Sequence, residues 1–205
     1  MKLPILRIAL VSVMVSMVTL FACKSDEADP TPVSTAGQYL TLHPGSKWEY
    51  IEKDSGFINS IVVLDSARTA FAKTYLAFKS SYRGYNSKNY YAYKNGNYFI
   101  LIPGNGSADQ ELIYLKDSTA LGTKWSATAT INSASLLHEY EVVETNLNKT
   151  VNGLSFSNVV HVRLKIVSTG YVGDFYYAPN AGLIKSDEVI ASVNYGYELK
   201  SYQLK

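Results

Sequence analysis

One thiol, three imidazoles and seventeen phenols carry the most distinctive chemistry open to this chain. The thiol, Cys23, has no second cysteine to pair with, so neither an internal disulfide nor a multi-cysteine metal site is available. It stands just behind an uncharged run, Ile8 to Leu20, that follows Lys2 and Arg7, the layout of a secretory signal. The imidazoles are His43, His138 and His161. They form no H-x-x-x-H or H-E-x-x-H spacing, and no two are placed to share a metal. His43 precedes Pro44 in a turn, His138 shares a strand face with Tyr140, and His161 shares one with Arg163. Structural or surface histidines are expected, with no metal and no cofactor. No G-x-S-x-G surrounds a serine, and Gly104-Asn105-Gly106-Ser107 lacks the Lys-Ser/Thr that would cradle phosphate. Carboxylate pairs for glycoside hydrolysis need not be close in sequence, and none stands out. The expectation is a protein that is not an enzyme.

Met1 to Arg7 reads as the charged start of a secretory signal, and Ile8 to Leu20 as its apolar stretch, inside the usual ~7–15 residues. A membrane span needs ~20 apolar residues, whereas Ile8 to Ala22 is short and broken by Ser12, Ser16 and Thr19. Leu20-Phe21-Ala22-Cys23 resembles a bacterial lipobox, which implies cleavage between Ala22 and Cys23 and diacylation of the thiol. The membrane is then a partner through acylated Cys23. Removal of 22 residues from 205 leaves 183, enough for one domain with a sizeable core. Lys2 and Arg7 leave with the signal, so 17 basic residues (19 less 2) face 17 acidic ones. With no net charge and no basic cluster, nucleic acid is not an expected partner.

Lys24 to Ala36 is polar, acidic and punctuated by proline, the composition of a flexible tether. The expected organisation is a signal peptide over 1–22, an acidic tether over 23–38 and a single antiparallel β domain over 39–205. Tyrosine, threonine, valine and asparagine dominate that domain, which favours strands and turns. Twelve strands are predicted, over 47–53, 60–65, 74–82, 89–94, 97–102, 111–116, 124–131, 136–147, 158–168, 173–178, 183–189 and 193–203. Ser66–Ala72 is the best candidate for a short helix and equally for a loop. Tyr90–Tyr93 and Leu112–Leu115 are apolar or aromatic on both faces, which predicts central strands covered on both sides.

Two hairpins are specific enough to test. Asn95-Gly96 between apolar runs predicts a two-residue turn pairing Tyr93 with Tyr98 and Tyr91 with Ile100. Around Asn152-Gly153, a two-residue turn would set Glu141 against Leu164. A three-residue loop with Gly153 left-handed instead pairs Glu141 with Arg163 and Glu139 with Lys165. A one-residue slip inverts every face, so the three-residue loop is preferred.

Several short motifs together resemble a class of Bacteroidota-type outer-membrane lipoproteins of uncharacterised function. Gly45-Ser46-Lys47-Trp48-Glu49-Tyr50 after Tyr39-Leu40-Thr41-Leu42 is similar to their opening strand. Val151-Asn152-Gly153 with Phe156 to Val162 is similar to their middle hairpin, and Tyr176 to Lys185 and Glu198 to Tyr202 to their closing strands. The resemblance implies a strongly curved antiparallel sheet, a half barrel or open barrel of about 10–12 strands, like that of the LolA/LolB lipoprotein carriers. Cys23-Lys24-Ser25-Asp26-Glu27 also resembles the acidic signal that sends such lipoproteins to the cell surface. An ordinary linker, with the domain on the periplasmic face, is the other reading. Asp65-Ser66-Ala67 and Asp117-Ser118-Thr119 resemble O-glycosylation sites, making Ser66 and Ser118 candidates.

If a concave lining exists, Trp48, Tyr50, Phe175 and Tyr177 are its candidates, since each offers an apolar body and all but Phe175 a polar tip. The expected function is non-enzymatic binding or interaction in the cell envelope, with an envelope protein, a glycan or a lipid as partner. A carrier holding a lipid or other apolar ligand in the concave face is the alternative, and a hydrolase the more distant one.

Overall fold

The computed structural model describes residues 36–104, 108–117, 120–131 and 133–205. Cys23, Ala22, the run Lys24 to Glu27 and Ser118 lie outside them. A short hairpin of β1 (Ala36–Gly37) and β2 (Leu40–Thr41) leads into twelve strands. These are β3 (Lys47–Glu52), β4 (Ile58–Ala70), β5 (Lys73–Tyr82), β6 (Tyr85–Lys94), β7 (Asn97–Ile102) and β8 (Gln110–Lys116). They continue with β9 (Lys124–Ile131), β10 (Ala134–Val151), β11 (Leu154–Ile166), β12 (Tyr171–Ala178), β13 (Gly182–Ile190) and β14 (Val193–Gln203).

All twelve form one antiparallel sheet in the order β8-β7-β6-β5-β4-β3-β14-β13-β12-β11-β10-β9. It is two meanders joined by the β3–β14 pairing, curled until β8 and β9 stand side by side as a nearly closed barrel with one unsealed seam. Every predicted strand is present, and β7, β9 and β14 have the predicted bounds. The helix or loop expected over Ser66–Ala72 is corrected: Ser66–Ala70 finishes β4, and Phe71 and Ala72, at φ 50° and 53°, make the turn. Left-handed backbone at two non-glycine residues is uncommon, so the sequence carried no turn signal there. Leu112–Leu115 is likewise not central but lies on edge strand β8.

Both hairpin registers are as expected, with one correction. Tyr93 pairs Tyr98 and Tyr91 pairs Ile100 across Asn95-Gly96. Glu141 pairs Arg163 and Glu139 pairs Lys165. The turn itself, however, is the two-residue kind, with Val151 opposite Leu154 and with Asn152 and Gly153 at φ 47° and 79°. Register shifts between Val142 and Lys149 move the pairing by one residue further down the ladder, and Asn146 and Asn158 take left-handed backbone there. The bulges therefore set the faces right, not the loop.

The alternate faces have different chemistry. Inward positions gather into two aromatic clusters. One holds Leu42, Trp48, Tyr50, Val63, Phe78 and Leu199, the other Tyr39, Tyr98, Leu115, Tyr140, Val162 and Tyr177. At one end the leading segment acts as a plug: Tyr39 N–H donates to the Tyr98 hydroxyl at 2.8 Å, and Asn180 N–H to the Gln38 carbonyl at 2.8 Å. A satellite cluster of Tyr75, Ala92, Phe99 and Leu101 lies on the outer face of β5–β7. Small Ala77 and Ala92 leave room there for Tyr75 to reach Glu111 on β8.

No backbone ladder joins β8 to β9 among the described residues; side chains close the seam. Trp125 Nε1–H donates to the Ile113 carbonyl at 2.9 Å. The Gln110 amide donates to the Thr130 carbonyl at 2.8 Å and accepts from Thr130 N–H at 2.5 Å, as a strand residue would. Gln110→Ala is expected to cost about 0.5–1.5 kcal/mol and to speed amide exchange at Thr130 without changing it at mid-sheet Val162. Unchanged exchange at Thr130 would show that the seam is held some other way.

Candidate functional site

All four lining candidates face the interior. Trp48 is buried, stacks on Phe78 at 6.1 Å between ring centres, and donates Nε1–H to the Ala181 carbonyl at 2.8 Å. Tyr50 donates its hydroxyl to the Leu183 carbonyl at 2.9 Å. Both therefore brace β3 against the β12–β13 turn, and their polar tips are committed to backbone. Phe175 is half-buried beside the second cluster, and Tyr177 is 8% exposed.

The sequence reading missed three tyrosines that join Tyr177. Tyr91 on β6 lies 5.7 Å from Tyr114 on β8, and Tyr114 lies 6.4 Å from Tyr177 on β12. Tyr140 on β10 stacks on Trp125 at 5.2 Å with an interplanar angle of 3°. Tyr114 reaches the interior because the ladder shifts opposite Tyr98 and Phe99, which turns both Tyr114 and Leu115 into the inner cluster. Burial raises all four phenols: Tyr91 is pushed up to about 12, and Tyr114, Tyr140 and Tyr177 are held above the ordinary phenol value. The available signal was the doubled apolar face of Tyr90–Tyr93 and Leu112–Leu115, which was read as packing.

Two carboxylates share this interior. Glu52 sits where β3 turns toward β4; burial works to raise it, but hydrogen bonds from Ser55, Tyr82 and Arg83 hold it below the usual range. Glu188 is raised by burial, although Tyr171 and Ser186 donate to it at 2.8 and 3.0 Å. Gly173 makes this second arrangement fit. A Cβ there would lie 2.6 Å from the Tyr171 hydroxyl and 2.5 Å from the Phe175 ring.

A carboxyl whose native pKa is raised binds its proton more readily folded than unfolded. Its contribution to stability is therefore full below about 4.5 and declines as pH rises through the native value. Glu188→Gln is expected to raise Tm at pH 7, by about 2–4 °C for each kcal/mol of desolvation relieved, and to bring no gain at pH 4. An equal gain at both pH values would place the cause elsewhere. His138, whose pKa burial lowers, works the other way and costs stability as pH falls below 6.5.

The outer wall is charged. His161 lies on it yet is only 4% exposed, stacked on Tyr176 at 4.3 Å and held between Glu144 and Asp174 at 2.8 Å each. Arg163 donates to the same Asp174, Lys149 stands over Tyr176, and Lys53 and Lys185 pair with Asp187. His161 is thus a structural clamp across β10–β12. A shallow groove of about 400 Å³ on β9–β11 is lined by Lys124, Glu139, Glu141, Arg163 and Lys165, charges that already face one another across the strands. No group of three or more metal-ligating side chains is gathered among the described residues. Ser66, a candidate glycan acceptor, has its hydroxyl buried without a partner in the β4 bulge, so a glycan there requires the bulge to open.

No family model matches the chain, and no curated protein matches it. Among solved structures it is similar to a Bacteroides fragilis protein designated as exported and as having a YmcC-like fold. The TM-score is 0.52 at 13% identity, over 82% of this chain and 100% of the other. It is also similar to a Parabacteroides distasonis protein designated a lipoprotein, with a TM-score of 0.49 at 14% identity, over 79% of this chain and 96% of the other. The first likeness shows a shared fold. Neither of the two is designated a LolA or LolB carrier.

Proposed function

We propose that this protein is a lipid-anchored outer-membrane lipoprotein that binds a ligand without transforming it, and that the barrel interior is the binding site. The observation that carries the reading is the ring of inward tyrosines, Tyr91, Tyr114, Tyr140 and Tyr177, whose hydroxyls have no hydrogen-bond partner among the described residues. The lipobox-like Leu20-Phe21-Ala22-Cys23 supports the anchor, and the designation of the similar Bacteroides fragilis protein as exported supports a location outside the cytoplasm. The acidic run after Cys23 supports display at the cell surface; without that display the domain faces the periplasm. A carrier of a lipid or other apolar ligand is the second reading, favoured by the aromatic walls but not by their hydroxyl tips.

Native mass spectrometry of the full chain, released gently from detergent, tests the reading. The expected spectrum carries a non-covalent adduct that Tyr114→Phe diminishes. A bare chain from every preparation, with no compound found that binds it, would reduce the interior to a structural core.

A further inference from the structure

The inner wall is selective about what it could hold. Tyr140 and Tyr177 are 6% and 8% exposed, and Tyr91 and Tyr114 are half-buried although barrel surrounds them. Among the described residues Ser66 alone has a side-chain polar atom both sealed and unpartnered. None of these four phenol hydroxyls has a hydrogen-bond partner among the described residues, and none is among the sealed polar atoms. They come from four strands, β6, β8, β10 and β12, and Tyr177 lies within electrostatic reach of Tyr140, Tyr91 and the Glu188 carboxylate. Register places no lysine or arginine at an inward position of β3–β6, β9 and β11–β13, Lys116 of β8 stands over the Trp125 ring at 5.4 Å beside the seam, and Arg83 is taken by Glu52.

Each chemical class of ligand meets this wall differently. An anion would face the Glu188 carboxylate, with Lys116 engaged over the Trp125 ring beside the seam. A hydrocarbon chain would leave four phenol hydroxyls buried and unpaired, at about 1–3 kcal/mol each. A quaternary ammonium could face Glu188 and the rings, yet it too offers the hydroxyls nothing. A neutral ring carrying several hydroxyls satisfies both parts of the wall. Its C–H faces pack on the aromatic rings, and its rim exchanges hydrogen bonds with phenols that both donate and accept.

We propose that the barrel interior bordered by Tyr91, Tyr114, Tyr140 and Tyr177 binds a neutral polyhydroxylated ring, a saccharide or cyclitol, with Glu188 accepting from one of its hydroxyls. This rests on the binding reading above and names the ligand class for the same site. Such a ring could arrive free or as the end of a longer glycan. The described segments leave the side-chain-latched seam as the part of the wall without a backbone ladder, and it is through this seam that the ring enters.

The test is calorimetric titration of the full acylated protein in detergent with D-glucose, N-acetyl-D-glucosamine, myo-inositol and maltohexaose, beside laurate and choline. The expected result is saturable binding of at least one of the first four. The double variant Tyr114→Phe with Tyr177→Phe should weaken it tenfold or more while keeping both rings and the parent melting curve, and Tyr90→Phe in the outer-face cluster should leave it unchanged. Binding of the monomers but not maltohexaose would identify a free sugar or cyclitol, and the reverse a glycan end. Binding of laurate or choline alone, undiminished in the double variant, would overturn the ligand class and leave the binding reading standing. Binding of none of the six would overturn the proposal, and absence of an adduct in the mass spectrum as well would remove the binding reading with it.

Discussion

Trp48→Ala is expected to lower the unfolding free energy by about 3–5 kcal/mol, the range for deleting a large buried aromatic. In a domain of this size that is a fall in Tm of roughly 10 °C or more. The indole is 4% exposed and fills the space between β3 and the β12–β13 turn, with Phe78 stacked on one side. It also satisfies the Ala181 carbonyl, which alanine would leave without that donor. Trp48→Phe separates the two contributions. It keeps most of the packing and should lose only about 1–3 kcal/mol, for the carbonyl left unpaired. Urea melts of the two variants against the parent measure both. A loss under 1 kcal/mol for Trp48→Ala would show that this end of the barrel does not depend on the brace.

That dependence reflects which parts of the fold were legible in the sequence. Strands that alternate in polarity are legible from sequence: in β14 Val193, Tyr195, Tyr197 and Leu199 alternate with Asn194, Gly196, Glu198 and Lys200, and the strand has the predicted bounds. Asn95-Gly96 announced its turn because both residues tolerate left-handed backbone. The Phe71-Ala72 turn adopts the same backbone with no such residues, imposed by the β4–β5 ladder, and so it was invisible. The Asn152-Gly153 hairpin shows the middle case. The correct register was recovered from face segregation while the wrong structural cause was assigned, because bulges within a strand leave only weak marks such as Asn146 and Asn158.

The site was legible only in part for a related reason. Trp48, Tyr50, Phe175 and Tyr177 could be placed on the concave face from local alternation alone. Which tyrosines keep a free hydroxyl depends on contacts between strands far apart in sequence, such as Tyr114 against Tyr177. The bulge at Tyr114 shows only in the pairing of β8 with β7, where Ile113 and Leu115 stand opposite the adjacent Phe99 and Tyr98. The Glu188 setting likewise needs Tyr171 to pass over Gly173, a relation across the β12–β13 ladder.

Cys23→Ala is expected to move the protein completely from the membrane fraction to the soluble fraction, with its melting curve unchanged. The described barrel is built against lipid contact. A membrane barrel turns an apolar band outward, whereas this one carries Glu144, His161, Arg163, Asp174, Lys185 and Asp187 on its outer wall and Tyr91, Tyr114, Tyr140 and Tyr177 within. No helix among the described residues is long and apolar enough to cross a membrane. Retention would then rest on the acyl chains at Cys23, each contributing about 0.8 kcal/mol per buried methylene, with a single chain only marginally sufficient and two holding stably. The thiol is the chain's single acceptor for them, so alanine removes the whole anchor. Cell fractionation with mass analysis of the mature N-terminus reads the outcome directly. Full retention of Cys23→Ala would mean that another surface of the protein holds it. A second variant, with Ser25, Asp26 and Glu27 replaced by alanine, separates anchoring from sorting. It should stay acylated and membrane-bound but lose labelling from outside the cell, and labelling equal to the parent would reduce the acidic run to a linker.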